Sequence, residues 1–276
     1  MSTRTRTTAA TLLLPALVLT GCGGDSGAAE GKPSTDGPLR VAATPVPHGE
    51  ILGFVRDELA QDAGLELEVV EFTDYVQPNV ALDEGAVDAN YYQHSVYLAD
   101  QEETAGYDFT EVLGVNFQPQ GLYSETLTEL PDVPEGATVA IPNDPVNGAR
   151  GLLLLAEHDL LTLDEGAGDV PTTLDIAENP LQLEFTEVEA AQLPRSLADA
   201  DLVSIPGNYA IDAGLNPGED ALAAESAEGS PYVIQLVTRT GEEDDPRLQQ
   251  LVELLQSDDV ADFITETYEG AVLPAF

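Results

Sequence analysis

Apolar and polar positions along this chain switch repeatedly between a two-residue and a helical period, and the switches mark where strands hand over to helices. Leu39-Arg-Val-Ala-Ala-Thr44 predicts a strand, Pro45-Val-Pro-His48 a turn, and the stretch around Glu50 to Gln61 a helix. Leu65-Glu-Leu-Glu-Val-Val-Glu-Phe72 alternates and predicts a second strand. Pro78 stands where the first turn of a helix tolerates it, and that helix runs to about Glu84. Val87 to Tyr92 predicts a third strand, followed by a helix to about Gln101, and Val112 to Tyr123 reads as extended.

The pattern then restarts. Thr138 to Ile141 predicts a buried strand, Pro142 to Arg150 a turn, and Gly151 to about Leu161 a Leu-rich helix. Thr173 to Ala177 and Leu181 to Phe185 are short elements, Glu189 to Leu197 a helix disturbed by Pro194, and Asp201 to Ile205 a strand leading to Pro206-Gly207-Asn208-Tyr209. Tyr232 to Val237 returns as a strand, and Arg247 to Thr267 is helical with a break near Ser257. Strands alternating with helices predict an α/β fold on mostly parallel sheets covered on both faces.

Ahead of this pattern, Arg4 and Arg6 precede the apolar run Ala9 to Leu19, which is too short and too broken by Pro15 to span a membrane. Residues 1–21 therefore read as an export signal. Leu19-Thr20-Gly21-Cys22 resembles the lipobox of bacterial lipoproteins, which implies lipidation of Cys22. Residues 22–38, rich in Gly, Ser and Asp and without apolar periodicity, read as a flexible tether.

Charge narrows the partners. The chain of 276 residues carries 9 Lys+Arg against 51 Asp+Glu, for a formal net charge of -42. No basic face can be assembled for phosphates, so nucleic acid is excluded as a partner. An anionic ligand would be repelled at long range, whereas a zwitterion would not. Such acidity suits a salty medium, where like charges are screened. The one Cys excludes an intrachain disulfide.

Candidate chemistry collects at strand-to-helix junctions, beyond the carboxyl ends of strands where open α/β sheets bind ligands. Five junctions stand out: Pro45 to His48, Thr73 to Tyr75, Tyr91 to His94, Asn143 to Arg150 and Pro206 to Tyr209. They supply aromatic rings, amide side chains and one of the few arginines. Asn147 and Arg150 sit where a helix start and a guanidinium could grip a carboxylate. Blander roles remain open for each: the tyrosines as packing, Asn147 and Asn208 as helix caps, Arg150 as partner to one of many carboxylates, His94 as a hydrogen-bonded structural residue.

Enzyme signatures are missing. The chain has no Gly-x-Ser-x-Gly elbow and no phosphate loop, and carboxylates are too abundant for any pair to stand out. His48, His94 and His158 include no pair spaced three or four apart, so no metal or cofactor is expected, with a zinc receptor built on these three as a minor alternative. A secreted hydrolase using a carboxylate and His158, or a surface protein that has lost its ligand, are the rivals from other classes.

Several long motifs then carry a resemblance: Pro45-Val-Pro-His48-Gly-Glu-Ile-Leu, Glu71-Phe-Thr-Asp-Tyr-Val-Gln-Pro-Asn79, Asp88-Ala-Asn-Tyr-Tyr-Gln-His94, Val139-Ala-Ile-Pro-Asn-Asp-Pro145, Glu189-Ala-Ala-Gln-Leu-Pro-Arg195 and Gly270-Ala-Val-Leu-Pro-Ala-Phe276. In this order, from about Leu39 to Phe276, they resemble the NlpA family, the methionine-binding lipoproteins of ABC importers. The resemblance implies a two-domain clamshell of the type II periplasmic-binding-protein kind with two hinge crossings, near Asn116 to Tyr123 and Ser230 to Val237. It places 39–117 with 235–276 in one domain and 118–234 in the other.

It further implies that Tyr75, Tyr92, His94 and Tyr97 line a side-chain pocket, that Arg150 and Asn147 hold a ligand carboxylate, and that Asn208 helps fix the head group. The implied partners are methionine, an ABC permease with its ATPase subunits, and the outer face of the cell membrane through Cys22. Two departures stand out: Tyr91-Tyr92 where many relatives show Phe-Phe, and Pro206-Gly207-Asn208 where relatives often read Asn-x-Asn. Either leaves room for D-methionine, a methionine-containing dipeptide or another apolar amino acid.

Overall fold

Leu39, Val41 and Ala43 of the first strand face one apolar cluster and Ala42 faces another, so this strand is buried on both sides. That is the signature of a sheet with helices on each face. The computed structural model describes residues 37–276; the expected export signal, Cys22 and the expected tether up to residue 36 lie outside the described residues.

In chain order the elements are β1 (Leu39–Ala43), α1 (Glu50–Phe54), α2 (Ala60–Ala63), β2 (Leu67–Glu71), α3 (Gln77–Asp83), β3 (Ala89–His94), α4 (Ser95–Ala105), β4 (Phe109–Phe117) and β5 (Gly121–Tyr123). There follow β6 (Thr138–Pro142), α5 (Pro145–Glu157), β7 (Thr162–Leu163), β8 (Ile176–Glu178), β9 (Glu184–Val188), α6 (Leu193–Ser196), β10 (Leu202–Ile205) and α7 (Gly207–Asp212). The chain ends with β11 (Ala223–Ala224), β12 (Ile234–Arg239), α8 (Pro246–Leu255), α9 (Asp258–Tyr268) and β13 (Leu273–Pro274). Among the described residues no helix is long and apolar enough to cross a membrane.

Two sheets organise two lobes. The first is six-stranded in the order β13-β4-β12-β3-β1-β2, the second five-stranded in the order β11-β5-β10-β6-β9. Strand β1 is parallel to β2 and β3, and β6 to β9 and β10. The remaining pairs in both sheets are antiparallel, so the sheets are mixed rather than mostly parallel as the alternation of elements predicts. The reason is topological. Strand β4 carries the chain out of the first lobe and β12 brings it back beside β4, and neighbours that leave and return must run in opposite directions.

Each sheet is packed on both faces. In the first lobe Leu236 joins Ile51, Leu52, Leu251, Leu255 and Ile264 on one face, while Val237 joins Leu82, Leu98 and Phe109 on the other. In the second, Val139 and Ile141 pack with Leu152 and Leu155 of α5, and Ala140, Val203 and Ile205 pack with Leu193 and Tyr209. The predicted break near Ser257 is a new helix start, where the Ser257 hydroxyl accepts the Val260 N–H and caps α9.

The chain passes between the sheets at 118–120 and again at 225–233. The second passage begins before the expected Ser230, and β12 starts only at Ile234. The first passage rests on a buried polar chain. Tyr91 donates to Asn116, Asn116 Nδ2 to Gln118 Oε1 at 2.6 Å, and Gln118 Nε2 to His48 Nε2 at 3.0 Å. That leaves the proton of His48 on Nδ1, 2.5 Å from Thr44 Oγ1. Burial pulls the His48 pKa down to about 3, against a smaller opposing effect of the Gln118 hydrogen bond, so the ring is neutral.

Candidate functional site

Helix α5 starts at Pro145, six residues before the Gly151 expected from its Leu run. Asp144 is its cap, accepting the Asn147 N–H at 2.8 Å, and Pro145 occupies the first turn where its missing N–H is harmless. Asn147 is therefore not the cap, and its side chain is free to face inward. Asn208 is not a cap either: it lies inside α7, whose cap position is Pro206. Gly148 lets α5 sit tight on its own strand, since a Cβ there would lie 2.8 Å from the Pro142 carbonyl oxygen. This close seating brings Asn147 and Arg150 to the mouth of the second sheet.

Arg150 is 5% exposed and does not wait alone for an anion. Nε donates to Glu225 Oε1 at 2.9 Å and Nη2 to Glu225 Oε2 at 2.6 Å, a fork-on-carboxylate pair. Nη1 donates to Asn147 Oδ1 at 2.9 Å, and the Tyr232 ring centre lies 4.2 Å from the guanidinium carbon. Burial alone would depress the Arg150 pKa, but the charge and hydrogen bonds of Glu225 outweigh it and raise it. A guanidinium has five N–H donors, and these contacts use three, so two remain for a further acceptor.

His94 closes β3 and caps α4: its Nδ1 accepts the Tyr97 N–H at 3.1 Å. An accepting Nδ1 puts the proton on Nε2, which faces Asn147 Oδ1 at 3.3 Å. Burial first, and the nearby Arg150 charge second, pull the His94 pKa to about 3, with the Asn147 hydrogen bond opposing. Asn147 Oδ1 thus receives from both His94 and Arg150, while Nδ2 donates to Asp144 at 3.0 Å. Burial raises the Asp144 pKa, only partly offset by those Asn147 bonds, and Asp144 Oδ2 has no partner.

Opposite this polar corner stand three rings. Tyr75, Tyr92 and Tyr97 have ring centres 6.0, 5.9 and 6.3 Å apart and pack with Val146 of α5. The strand alternation separates the Tyr91-Tyr92 pair: Tyr91 enters the core and bonds Asn116, while Tyr92 turns to the rings. The Tyr92 and Tyr97 hydroxyls both donate to the Tyr75 carbonyl, at 2.9 and 3.2 Å. The Tyr92 hydroxyl is thus satisfied within the wall. Burial pushes the Tyr75 and Tyr92 pKa values well above their usual range, so the rings stay uncharged.

All seven predicted residues, Tyr75, Tyr92, His94, Tyr97, Asn147, Arg150 and Asn208, line one cleft between the lobes. Among the described residues no carboxylate lines it, although the chain holds 51 Asp+Glu. Gln118 from the first passage and Ile234 from β12 also line it and were not anticipated. Glu225 and Tyr232 behind Arg150 were missed as well. Glu225 is indistinguishable in sequence among many acids, and Tyr232 falls on a predicted strand that starts two residues later. The Asp144-Pro145 cap signal would have located the α5 start.

The three histidines are dispersed: His48 sits in the buried chain at the first passage, His94 in the cleft, and His158 on an open groove beside Glu129 and Asp220. Among the described residues no group of three His, Cys, Asp or Glu is gathered to hold a metal.

Residues 39–276 match the NlpA lipoprotein family. The chain is 39% identical over 269 residues to the methionine-binding lipoprotein MetQ of Bacillus subtilis, covering 96% of each chain. It is 39% identical over 264 residues to the D-methionine-binding lipoprotein MetQ of Escherichia coli, covering 95% of this chain and 94% of that one. Among solved structures, a nutrient binding protein from Burkholderia cenocepacia bound to methionine superposes with a TM-score of 0.84 at 41% identity, over 86% of this chain and 100% of the other.

Proposed function

The chain belongs to the NlpA lipoprotein family, and from that premise and the geometry of the cleft we propose that it is the methionine receptor of an ABC importer. Membership sets it among binding proteins rather than catalysts, which removes the hydrolase alternative. The observation that carries the ligand is the pairing within one cleft of Arg150, two of whose guanidinium N–H groups are unspent, with a wall of three tyrosine rings. The first suits a carboxylate; the second suits a thioether, which gains about 0.3–1.5 kcal/mol from each aromatic contact.

In this reading Arg150 and Asn147 hold the ligand carboxylate, Asn208 fixes its head group, and Tyr75, Tyr92, His94 and Tyr97 enclose its side chain. Residues 39–117 with 235–276 form one jaw and 118–234 the other, joined at 118–120 and 225–233. Residues 1–21 direct export, and a lipid on Cys22 holds the protein at the outer face of the cell membrane. There it hands methionine to a permease driven by its ATPase subunits.

Calorimetric titration with L-methionine, D-methionine and glycyl-methionine, on protein unfolded and refolded to strip any carried ligand, tests the reading. Saturable heat with one or both methionine enantiomers is expected. Heat only with the dipeptide would reassign the ligand, and silence from all three on folded protein would remove it.

A further inference from the structure

Glu225 is the first residue of the second passage, and it is tied to the last residue of the first. Its N–H donates to the Gln120 carbonyl at 3.0 Å, and its Oε2 accepts the Gln120 N–H at 2.8 Å. The same Oε2 accepts from Arg150 Nη2, and Oε1 from Arg150 Nε. One carboxylate therefore fixes the guanidinium to the point where the two passages meet. Tyr232, from the same passage, covers a face of that guanidinium.

Glu225 does not line the cleft. It opens instead on a separate groove behind Arg150, shared with Glu157, Glu228 and Tyr232. Arg150 thus forms part of the wall between two cavities, with its counter-charge Glu225 on the rear one. Among the described residues no carboxylate and no second cation line the cleft, and His94 is neutral, so the charge a ligand meets there is set chiefly by Arg150, less what Glu225 and the buried Asp144 beside Asn147 cancel.

We propose that Glu225 is a positioning residue that sets the charge preference of the cleft, holding Arg150 and cancelling its charge so that a zwitterion is favoured over an anion with the same side chain. The inference rests on the reading of Arg150 as the carboxylate clamp. With Glu225 in place, a carboxylate alone is drawn to the guanidinium and pushed back by Glu225, while an ammonium on the same ligand is attracted. Without it, the buried guanidinium loses its paired counter-charge. A bare anion then gains, and a zwitterion gains at its carboxylate what it loses at its ammonium.

The test is to titrate L-methionine and its amine-free analogue, the methylthiobutyrate anion, into wild type, Glu225→Gln and Glu225→Asp. Wild type should favour methionine. Glu225→Gln should shift the affinity ratio toward the anion by about tenfold or more, from one unit charge acting across a partly screened interior. Glu225→Asp, which keeps the charge, should stay near the wild-type ratio. If Glu225→Gln is not recovered folded, Glu225→Ala removes the same charge and reads the same ratio.

An unchanged ratio in the charge-removing variant, or an equal loss of both ligands, would overturn the proposal, since a merely structural role weakens both alike. So would a shift in Glu225→Asp as large as that in Glu225→Gln. A wild-type protein that binds neither methionine enantiomer would remove the ligand reading, and this inference with it.

Discussion

The Tyr75 hydroxyl donates to Oδ1 of Asn208, a residue 133 positions later and on the opposite lobe. Tyr209 returns the contact, its hydroxyl donating to the Thr73 carbonyl at 3.1 Å while its ring lies 5.0 Å from that of Tyr75. The turn after β2 is thus latched to α7 by two hydrogen bonds and a ring contact that exist only when the lobes are together.

Removing either hydroxyl should loosen closure without emptying the cleft. Tyr209→Phe is the cleaner probe, because Tyr209 does not line the cleft. A net hydrogen bond of about 0.5–1.5 kcal/mol predicts a methionine affinity lowered roughly twofold to tenfold, mainly through faster release. Stopped-flow dissociation of bound methionine measures it.

Arg150→Ala should weaken methionine binding by about 1.5–3 kcal/mol and lower thermal stability as well, because Glu225 loses its charge partner. Arg239→Ala is the counter-example. Its guanidinium donates to the Leu82 and Val87 carbonyls and pairs with Glu242, away from the cleft, so stability should fall while affinity holds. Titration and melting of both variants separate the two effects.

Acid should destabilise the fold through His48 and His94. Both are neutral when folded, with pKa values pulled from 6.5 to about 3, so the unfolded chain binds the protons that the folded chain refuses. Stability is therefore fully present above the unfolded value and falls as pH drops from 6.5 toward 3. Each histidine contributes up to about 1.4 kcal/mol per pH unit in that window. Denaturant unfolding at a series of pH values should show this slope, reduced by about one proton in His94→Asn.

Gly207→Ala should act at the first passage. A Cβ there would lie 2.6 Å from the Pro119 carbonyl oxygen, a backbone atom that cannot rotate away. Overpacking of this kind costs about 1–3 kcal/mol, and here it would push α7 and Asn208 off the cleft. Melting and methionine titration should both show a loss.

Much of this was legible because the residues act locally. The strand beginning at Leu39 and the Ser257 break appear in the structure where the sequence puts them, since strand composition and capping are short-range properties. Tyr75, Tyr92, His94, Tyr97, Asn147, Arg150 and Asn208 could be singled out by junction and by resemblance, and they meet in one cleft. The mixed sheets were not legible, since strand direction depends on where β4 and β12 leave and return rather than on their composition. Nor was Glu225, whose role comes from a contact 75 residues away and not from its neighbours.

The most direct measurement is a crystal structure of refolded protein with selenomethionine added as ligand. The chain's only Met is Met1, outside the described residues, so residues 37–276 contribute no selenium of their own. The account predicts one anomalous peak among the rings of Tyr75, Tyr92 and Tyr97, with the ligand carboxylate on the free N–H groups of Arg150. A peak outside the cleft, or a carboxylate turned away from Arg150, would contradict it.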